Sequence, residues 1–148
     1  MEGEVAVAAL SRLADVLADG EGMLACRIEG SLDAERRPRL QLSVSGSLLV
    51  RCQRCLGGLA WPVRIEAVLQ PVKEGQEIPV EELEDDELDA LEVGDELDLI
   101  GLIEDEVLLA LPIAPRHENC EPPRPESGTI KESPFAGLAA LRDSASKA

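Results

Sequence analysis

Two short pairs of potential metal ligands, far apart in the chain, constrain the fold more than any other feature. Cys52 and Cys55 are separated by two residues, and so are His117 and Cys120. This spacing lets both side chains of a pair point at one ion, and three thiols with one imidazole form the ligand set of a structural tetrahedral Zn²⁺ site. The sequence therefore predicts a clip that joins the middle of the chain to its C-terminal region.

The first pair has three interpretations. A zinc knuckle occupies a hairpin turn in which glycines let backbone amides approach the sulfurs, and Gly57 and Gly58 follow Cys55 closely. A thioredoxin-type redox pair opens a helix, whereas another strand pattern follows here. Two unliganded thiols near a turn are the third possibility. The second ligand pair favours metal, and four protein ligands indicate a closed structural site rather than a catalytic one.

His117 is the only histidine, and its spacing to Cys120 is the reason to count it as a ligand rather than as a surface histidine. Cys26 alternates with Leu24 and Ile28 and is assigned to the core, because a free thiol behaves as a small hydrophobic group. The predicted metal ligands are therefore Cys52, Cys55, His117 and Cys120.

The composition indicates a small acidic protein with an aliphatic core. The 148 residues suit one hydrophobic core, and Trp61 and Phe135 are the only aromatic residues. With 30 acidic and 14 basic residues the formal charge is −16, which opposes non-specific nucleic-acid binding and suits either a basic partner or simple solubility. The N-terminus lacks signal-peptide features and no apolar stretch is long enough to span a bilayer. We therefore expect a cytoplasmic protein, with no membrane contact and no small-molecule substrate evident.

Alternating apolar residues predict an antiparallel β-meander. A short strand over residues 4–7 leads into a helix over residues 8–19. Leu10, Leu13 and Leu17 recur there at helical spacing. The strand patterns that follow cover residues 24–28, 40–50 and 61–69, the second with a bulge at Gly46. Together with a second helix, they predict a single α+β domain over residues 1–121, with two main helices packed on the meander.

An acidic segment precedes the second predicted helix. Residues 74–98 contain thirteen acidic residues, which is typical of a solvated loop or a weak helix. The helix is predicted to begin near Asp95, an N-cap residue type, and to end before Pro112. Its apolar stripe consists of Leu97, Ile100, Ile103, Val107 and Leu111. Glu104, Asp105 and Glu106 lie largely off that stripe.

The C-terminal region is predicted to be a flexible tail. Residues 122–148 begin with a Pro-rich linker and end with a short amphipathic segment over residues 134–142. In that segment Phe135, Leu138 and Leu141 are three residues apart.

Several arginines lie close in sequence to the predicted ligands, namely Arg51, Arg54, Arg64, Arg116 and Arg124. They either form one surface, suited to RNA phosphates or to an acidic patch on a partner, or are scattered over exposed strand positions. The lack of an aromatic stacking platform argues against sequence-specific recognition of single-stranded RNA. An enzyme is not expected, because no Ser-His-Asp set, phosphate loop or dinucleotide fingerprint is present and acidic pairs are a weak indication of Mg²⁺.

One combination of segments is more specific. It comprises Val50-Arg-Cys52-Gln-Arg-Cys55, then Ile103-Glu104-Asp105-Glu106 followed by Leu-Ala-Leu-Pro112, then Cys120 and Ser133-Pro-Phe135-Ala. Over residues 40–142 this combination resembles the YceD family, the large ribosomal RNA subunit accumulation proteins. By the resemblance, Cys52, Cys55 and Cys120 match the family's cysteines, and residues 104–106 match its acidic helix motif.

The resemblance implies a bacterial or organellar protein needed for synthesis, processing or stability of large-subunit (23S-type) ribosomal RNA. An acidic protein of this kind is expected to act without catalysis, through a basic ribosomal protein or assembly factor, with an indirect effect on RNA. The expected partner contacts are Glu104, Asp105, Glu106, Phe135, Leu138 and Leu141. The alternative is a metal-dependent RNA-processing enzyme that uses the acidic helix.

Overall fold

Five strands form one mixed sheet in the computed structural model, which describes residues 1–73, 75, 89–123 and 135. The strands are β1 (Glu2–Ala6), β2 (Met23–Leu32), β3 (Pro38–Arg51), β4 (Gly58–Lys73) and β5 (Asp89–Val93). They lie in this order across the sheet, and every neighbouring pair is antiparallel except β4 and β5, which are parallel. The predicted antiparallel meander is confirmed by β2, β3 and β4.

The hairpin of β3 and β4 is the longest pairing and positions the predicted metal ligands. Its register runs without a break from Leu40 opposite Leu69 to Arg51 opposite Gly58, so the predicted bulge at Gly46 is wrong. The reason for glycine there is a close approach instead. A Cβ atom at Gly46 would lie 2.7 Å from a methyl carbon of Leu24 on the neighbouring strand.

The predicted helix over residues 8–19 is wrong. Two 3₁₀ turns, Val7–Ala9 and Ser11–Leu13, occupy the start of this segment. The amides of Val16 and Leu17 still donate to the Leu13 carbonyl at 3.0 Å, but the next backbone groups pair with β3. Ala18 donates to the Leu49 carbonyl at 2.7 Å, and Arg51 donates to the Val16 carbonyl at 2.8 Å. Leu10, Leu13 and Leu17 are nevertheless buried, because a 3₁₀ turn also places residues three apart on one side.

One α-helix, α1 (Leu99–Ala110), is present among the described residues, so the predicted α+β packing with two main helices is corrected to a mixed sheet with a single helix. The N-cap is Asp98, whose carboxylate accepts from the amides of Ile100 and Gly101 at 3.1 Å, three residues later than predicted. The end before Pro112 is confirmed, and Leu111 has the extended backbone that a residue preceding proline adopts.

The acidic segment is only partly described. Residues 89–93, expected in a solvated loop or weak helix, form strand β5 and pair with residues 69–73 of β4, so the prediction is wrong for that part. Residues 74 and 76–88 lie outside the described residues, as do residues 124–134 and 136–148 of the predicted tail.

The core lies between one face of the sheet and the layer made by α1 and the 3₁₀ turns. Its most buried members include Leu10, Leu13, Leu24, Leu42, Leu48, Val50 and Val107. Cys26 is buried in this cluster, which confirms its assignment to the core. Among the residues described, no helix has the length and apolar character needed to cross a membrane.

Candidate metal centre

The first ligand pair lies in the turn that joins β3 to β4. Cys52 follows the last residue of β3, and its amide donates to the carbonyl of Gly57 at 2.8 Å. The Leu56 amide closes the turn on the Cys52 carbonyl at 2.9 Å, and the Arg54 amide approaches the Cys52 sulfur at 3.5 Å. The hairpin turn therefore presents both thiols on one side, as predicted for a knuckle.

The second ligand pair lies in the loop after α1. Pro112 ends the helix, and the chain then crosses the hairpin turn, where the Gln53 amide donates to the Pro115 carbonyl at 2.8 Å. The guanidinium of Arg54 also reaches the carbonyl of Cys120 at 3.3 Å. These two contacts hold the loop against the turn, so that His117 and Cys120 face the two cysteines of the hairpin.

The four side chains lie close enough together to bind one tetrahedrally coordinated ion. One ligand atom from each of Cys52, Cys55, His117 and Cys120 lies within 4.8 Å of all the others. The sulfurs of Cys52 and Cys120 are 3.8 Å apart, and the Cys55 sulfur is 3.4 Å from Nδ1 of His117. Metal–ligand bonds of 2.0–2.3 Å in tetrahedral geometry require edges of about 3.6–3.8 Å. The cluster can therefore hold a metal ion.

The orientation of His117 is set by its second ring nitrogen. Nε2 lies 3.1 Å from the carbonyl of Gly58, and an N–H on Nε2 would donate there. Nδ1, which faces Cys55, is then left with its lone pair free. Metal-bound histidines commonly fix their tautomer and ring plane by such a bond to a backbone carbonyl. His117 therefore has both the position and the hydrogen-bond partner of a ligand.

The acidic helix motif lies away from this cluster and contacts the second 3₁₀ turn, Ser11–Leu13. The Glu104 side chain is buried, and its two oxygens accept from the Arg12 amide at 2.5 Å and from Arg12 Nε at 2.7 Å. Arg12 also donates to Asp105 at 2.5 Å and to the Gly101 carbonyl at 2.9 Å. The placement of Glu104 off the buried stripe was therefore wrong. We call Arg12, Glu104 and Asp105 the helix clamp.

Both the metal-ligand cluster and the helix lie in a part of the chain that matches a known protein family. The family described as "Large ribosomal RNA subunit accumulation protein YceD" matches residues 40–142. The chain belongs to the YceD family. A protein of that same description from Haemophilus influenzae is 31 % identical over 159 aligned residues, which cover 95 % of this chain and 86 % of the relative. No solved structure gives a significant match.

The part that matches the YceD family contains all four ligands of the cluster and the acidic residues of the helix clamp. Arg12 lies before it. No local pattern in the sequence marks Arg12 as the partner of Glu104, because the two residues are 92 positions apart and meet only when the sheet and helix have packed. Sequence reasoning therefore found the cluster and missed the clamp.

The thiols of the cluster differ in acidity. Hydrogen bonding to the backbone around Cys55 lowers the pKa of Cys52 to about 5, against the opposing effect of its burial. Burial raises the pKa of Cys120, and its contact with Cys52 acts in the same direction. Thiols bind metals as thiolates, so the surroundings of Cys52 favour the form of this thiol that binds a metal.

The predicted partner-binding residues have different surroundings. Asp105 is exposed on the clamp, whereas Glu106 is half-buried, and burial together with the charges of Asp89 and Asp105 raises its pKa. Phe135 is exposed. Leu138 and Leu141 lie outside the described residues, so their role in partner binding stays a prediction.

Proposed function

We propose that this chain is a non-catalytic ribosome-biogenesis factor that supports the accumulation of large-subunit ribosomal RNA and acts through a basic protein partner. The family match over residues 40–142 carries the proposal. The description of the family, and of the relative from Haemophilus influenzae, concerns accumulation of large ribosomal RNA and mentions no reaction. The remaining support comes from the chemistry of three parts of the molecule.

The metal cluster supports a structural Zn²⁺. Three thiols and one imidazole fill a tetrahedral coordination sphere, whereas a catalytic zinc keeps one position for water or substrate. The Cys52 thiol is fully buried, which leaves no open coordination position on that side. A zinc ion bound here would join the β3–β4 turn to the loop after α1 and add its binding free energy to that of folding.

The helix clamp argues against the alternative of a metal-dependent RNA-processing enzyme. A Mg²⁺ site needs carboxylate oxygens that are free to bind the ion, but both Glu104 oxygens accept hydrogen bonds from Arg12 and its side chain is only 7 % exposed. Asp105 is held by the same guanidinium. The contacts of Glu104 and Asp105 with Arg12 therefore give the acidic helix motif a structural role that requires no catalysis.

The acidic segment supports a basic partner. Residues 89–106 contain eight acidic residues and no basic ones. Among them Glu92 in β5 is exposed, as are Asp95, Glu96 and Asp98 between β5 and α1. A field of this sign attracts cationic protein segments and speeds their association. Leu109 and Ile113, 79 % and 103 % exposed at the end of α1, offer apolar contacts close to the same helix.

Rescue of ribosomal RNA levels tests the proposal. In a bacterial strain that lacks its own YceD-family protein, expression of this chain is expected to restore the ratio of large-subunit to small-subunit ribosomal RNA. Glu92→Gln/Glu96→Gln is expected to reduce that rescue and the co-purification of a basic ribosomal or assembly protein. The matched control Glu4→Gln/Glu21→Gln removes two exposed carboxylates elsewhere and should leave both unchanged.

Two further results bear on the finer parts of the proposal. Deletion of residues 134–148 is expected to weaken co-purification of the partner, because Phe135, Leu138 and Leu141 are the proposed apolar contacts of the tail. Specific cleavage of precursor large-subunit RNA by the purified protein with Mg²⁺, abolished in Glu104→Gln, would contradict the non-catalytic proposal.

A further inference from the structure

The arginines of the described residues fall into two groups. Arg12, Arg27, Arg37 and Arg39 each form an ion pair with one or more carboxylates. Arg36, Arg51, Arg54, Arg64 and Arg116 form none within the part of the chain that the structure describes. Except for Arg36, which lies in the turn between β2 and β3, the second group lies on the β3–β4 hairpin and on the loop that crosses its turn.

Three of these arginines surround the metal centre. Arg51 ends β3, Arg54 lies between the two cysteines of the turn, and Arg116 precedes His117. The hydrogen bond from Gln53 to Pro115 places their two segments side by side. Arg51 and Arg54 donate to the backbone carbonyls of Leu17 and Cys120 at 3.3 Å. Neither contact is an ion pair, and Asp19 lines the same cleft as Arg51. We call Arg51, Arg54 and Arg116 the arginine end.

A stretch of the hairpin that has no carboxylate of its own extends from this end. No acidic residue occurs between Glu35 and Glu66, a stretch that contains six arginines. Ser45 and Ser47 are exposed on β3, on the side opposite to its buried residues, and Arg64 on β4 is directly across from Ser45. Glu66, two residues beyond Arg64 on the same face of β4, and Glu4, which lines the same groove as Ser45, bound this stretch. Arg64 is six residues from Gly58, roughly 20 Å along the strand. Hydroxyls and guanidinium groups are common donors to phosphate oxygens.

The negative charge of the protein is concentrated elsewhere. Strand β5, where the described acidic segment begins, pairs with β4 from Leu69 onwards. Along the strand Leu69 is 11 residues and about 36 Å from Gly58, and five residues and about 16 Å from Arg64. Mobile ions screen exposed charges beyond about 8 Å at physiological ionic strength. Glu118 and Glu121 are on the same loop as Arg116 and reduce the local charge, so a polyanion would be bound weakly and in a salt-dependent manner.

We propose that the arginine end, together with Arg64, binds the phosphodiester backbone of RNA. This inference rests on the proposed function, from which RNA follows as the polyanion, and it replaces a purely indirect effect on RNA with direct contact. The binding does not read sequence, because Trp61 packs against the core and no other aromatic residue lies among residues 36–65 to stack on a base. The molecule then has two faces, one for RNA and one for a basic protein.

Binding of a labelled 20-nucleotide oligouridylate RNA at about 50 mM salt tests the inference by fluorescence anisotropy on the purified, metal-loaded chain. Arg51→Gln/Arg116→Gln is expected to weaken the affinity for this RNA about fivefold or more. The slope of log K against log salt should also become shallower by about 1.4, which is about 0.7 for each phosphate that the variant no longer neutralises. Arg64→Gln is expected to have a smaller effect of the same kind. Arg54 is left unchanged because it holds the loop at Cys120.

Arg27→Gln/Arg36→Gln is the matched control, since it removes the same charge from exposed positions away from the arginine end, and its affinity should stay within about twofold of wild type. Equal weakening by both double variants, or no binding by the wild-type chain, would overturn the inference. It would also fail if Arg51→Gln/Arg116→Gln abolished binding to a polyglutamate peptide and kept the RNA affinity, because the surface would then recognise an acidic protein. The oligonucleotide measurement decides this inference by itself, whereas rescue of ribosomal RNA levels decides the proposed function.

Discussion

The hairpin over residues 36–65 and the segment over residues 89–106 have opposite charge and are built differently. The hairpin carries six arginines and no carboxylate, whereas the segment carries eight carboxylates and no basic residue. The hairpin is held by a continuous twelve-pair register with its ligands at the turn, while the segment consists of one short parallel strand and one helix. The two regions therefore differ in the sign of their charge, and the net charge of −16 describes neither of them.

Loss of a metal ligand should have the largest effect on the protein, and that effect should be confined to the hairpin end. Cys52→Ser or Cys120→Ser is expected to reduce bound zinc from about one to below about 0.2 per chain, because a closed four-ligand site binds tightly only when complete. Hydrogen exchange should then rise in residues 52–58 and 112–120 and stay low in α1. Cys26→Ser is the control, since that thiol lies in the core and outside the cluster. Full zinc content in Cys52→Ser would contradict the ligand set.

Breaking the helix clamp should come next and should act on the other end. Glu104→Gln is expected to lower the free energy of unfolding by about 2 kcal/mol, because hydrogen bonds to a charged group are the stronger kind and this acceptor is buried. Asp105→Asn, on the exposed side of the same clamp, should cost less. Urea unfolding measures both, and an Asp105→Asn effect larger than that of Glu104→Gln would show that burial does not set the strength of the clamp.

Removal of the helix N-cap should have a smaller effect on the same segment. Asp98→Ala deletes the carboxylate that accepts from the amides of Ile100 and Gly101 and is expected to cost about 1 kcal/mol. Asp95→Ala, at the position where the sequence placed the cap, should be nearly neutral. Equal costs for the two variants would indicate that the helix begins earlier than the structure shows.

The smallest expected effect is a stabilisation, and it depends on pH. The pKa of Glu106 is raised from its ordinary value of 4.5 by burial and by Asp89 and Asp105, so its ionised form is disfavoured in the fold. A carboxyl group whose pKa is raised on folding favours the folded state at low pH and loses that contribution as the pH rises through the folded pKa. Glu106→Gln should therefore stabilise the protein at pH 7 by less than about 1 kcal/mol.

The same measurement at pH 4 provides the control for Glu106. Wild-type Glu106 is largely protonated there, so the difference between the variant and the wild type should vanish. A stabilisation that persists unchanged at pH 4 would show that packing, and not the charges of the acidic segment, is responsible.

Much of the hairpin was predictable from the sequence, because its signals are local or strongly periodic. The alternation of Leu42 and Val44 with serines indicated the strand and its buried face, and the Cys52–Cys55 spacing indicated the knuckle. The acidic segment was predicted less well. Strand β5 was expected to be loop or weak helix, since its five residues have no strong alternation and depend on β4 for their hydrogen bonds. The position of Glu104 depended on Arg12, a residue that no spacing rule connects to it.

The sequence by itself determined the elements whose information is contained in a few neighbouring residues: the two ligand pairs, the meander, and the end of α1 before Pro112. Only the tertiary structure decided where residues 8–19 would place their backbone hydrogen bonds, because the free edge of β3 at Leu49 and Arg51 competes with an intrahelical partner. It also decided which charges are neutralised. Ion pairs such as Arg12–Glu104 form between segments that fold together from distant positions, and composition records the charges without recording which of them meet.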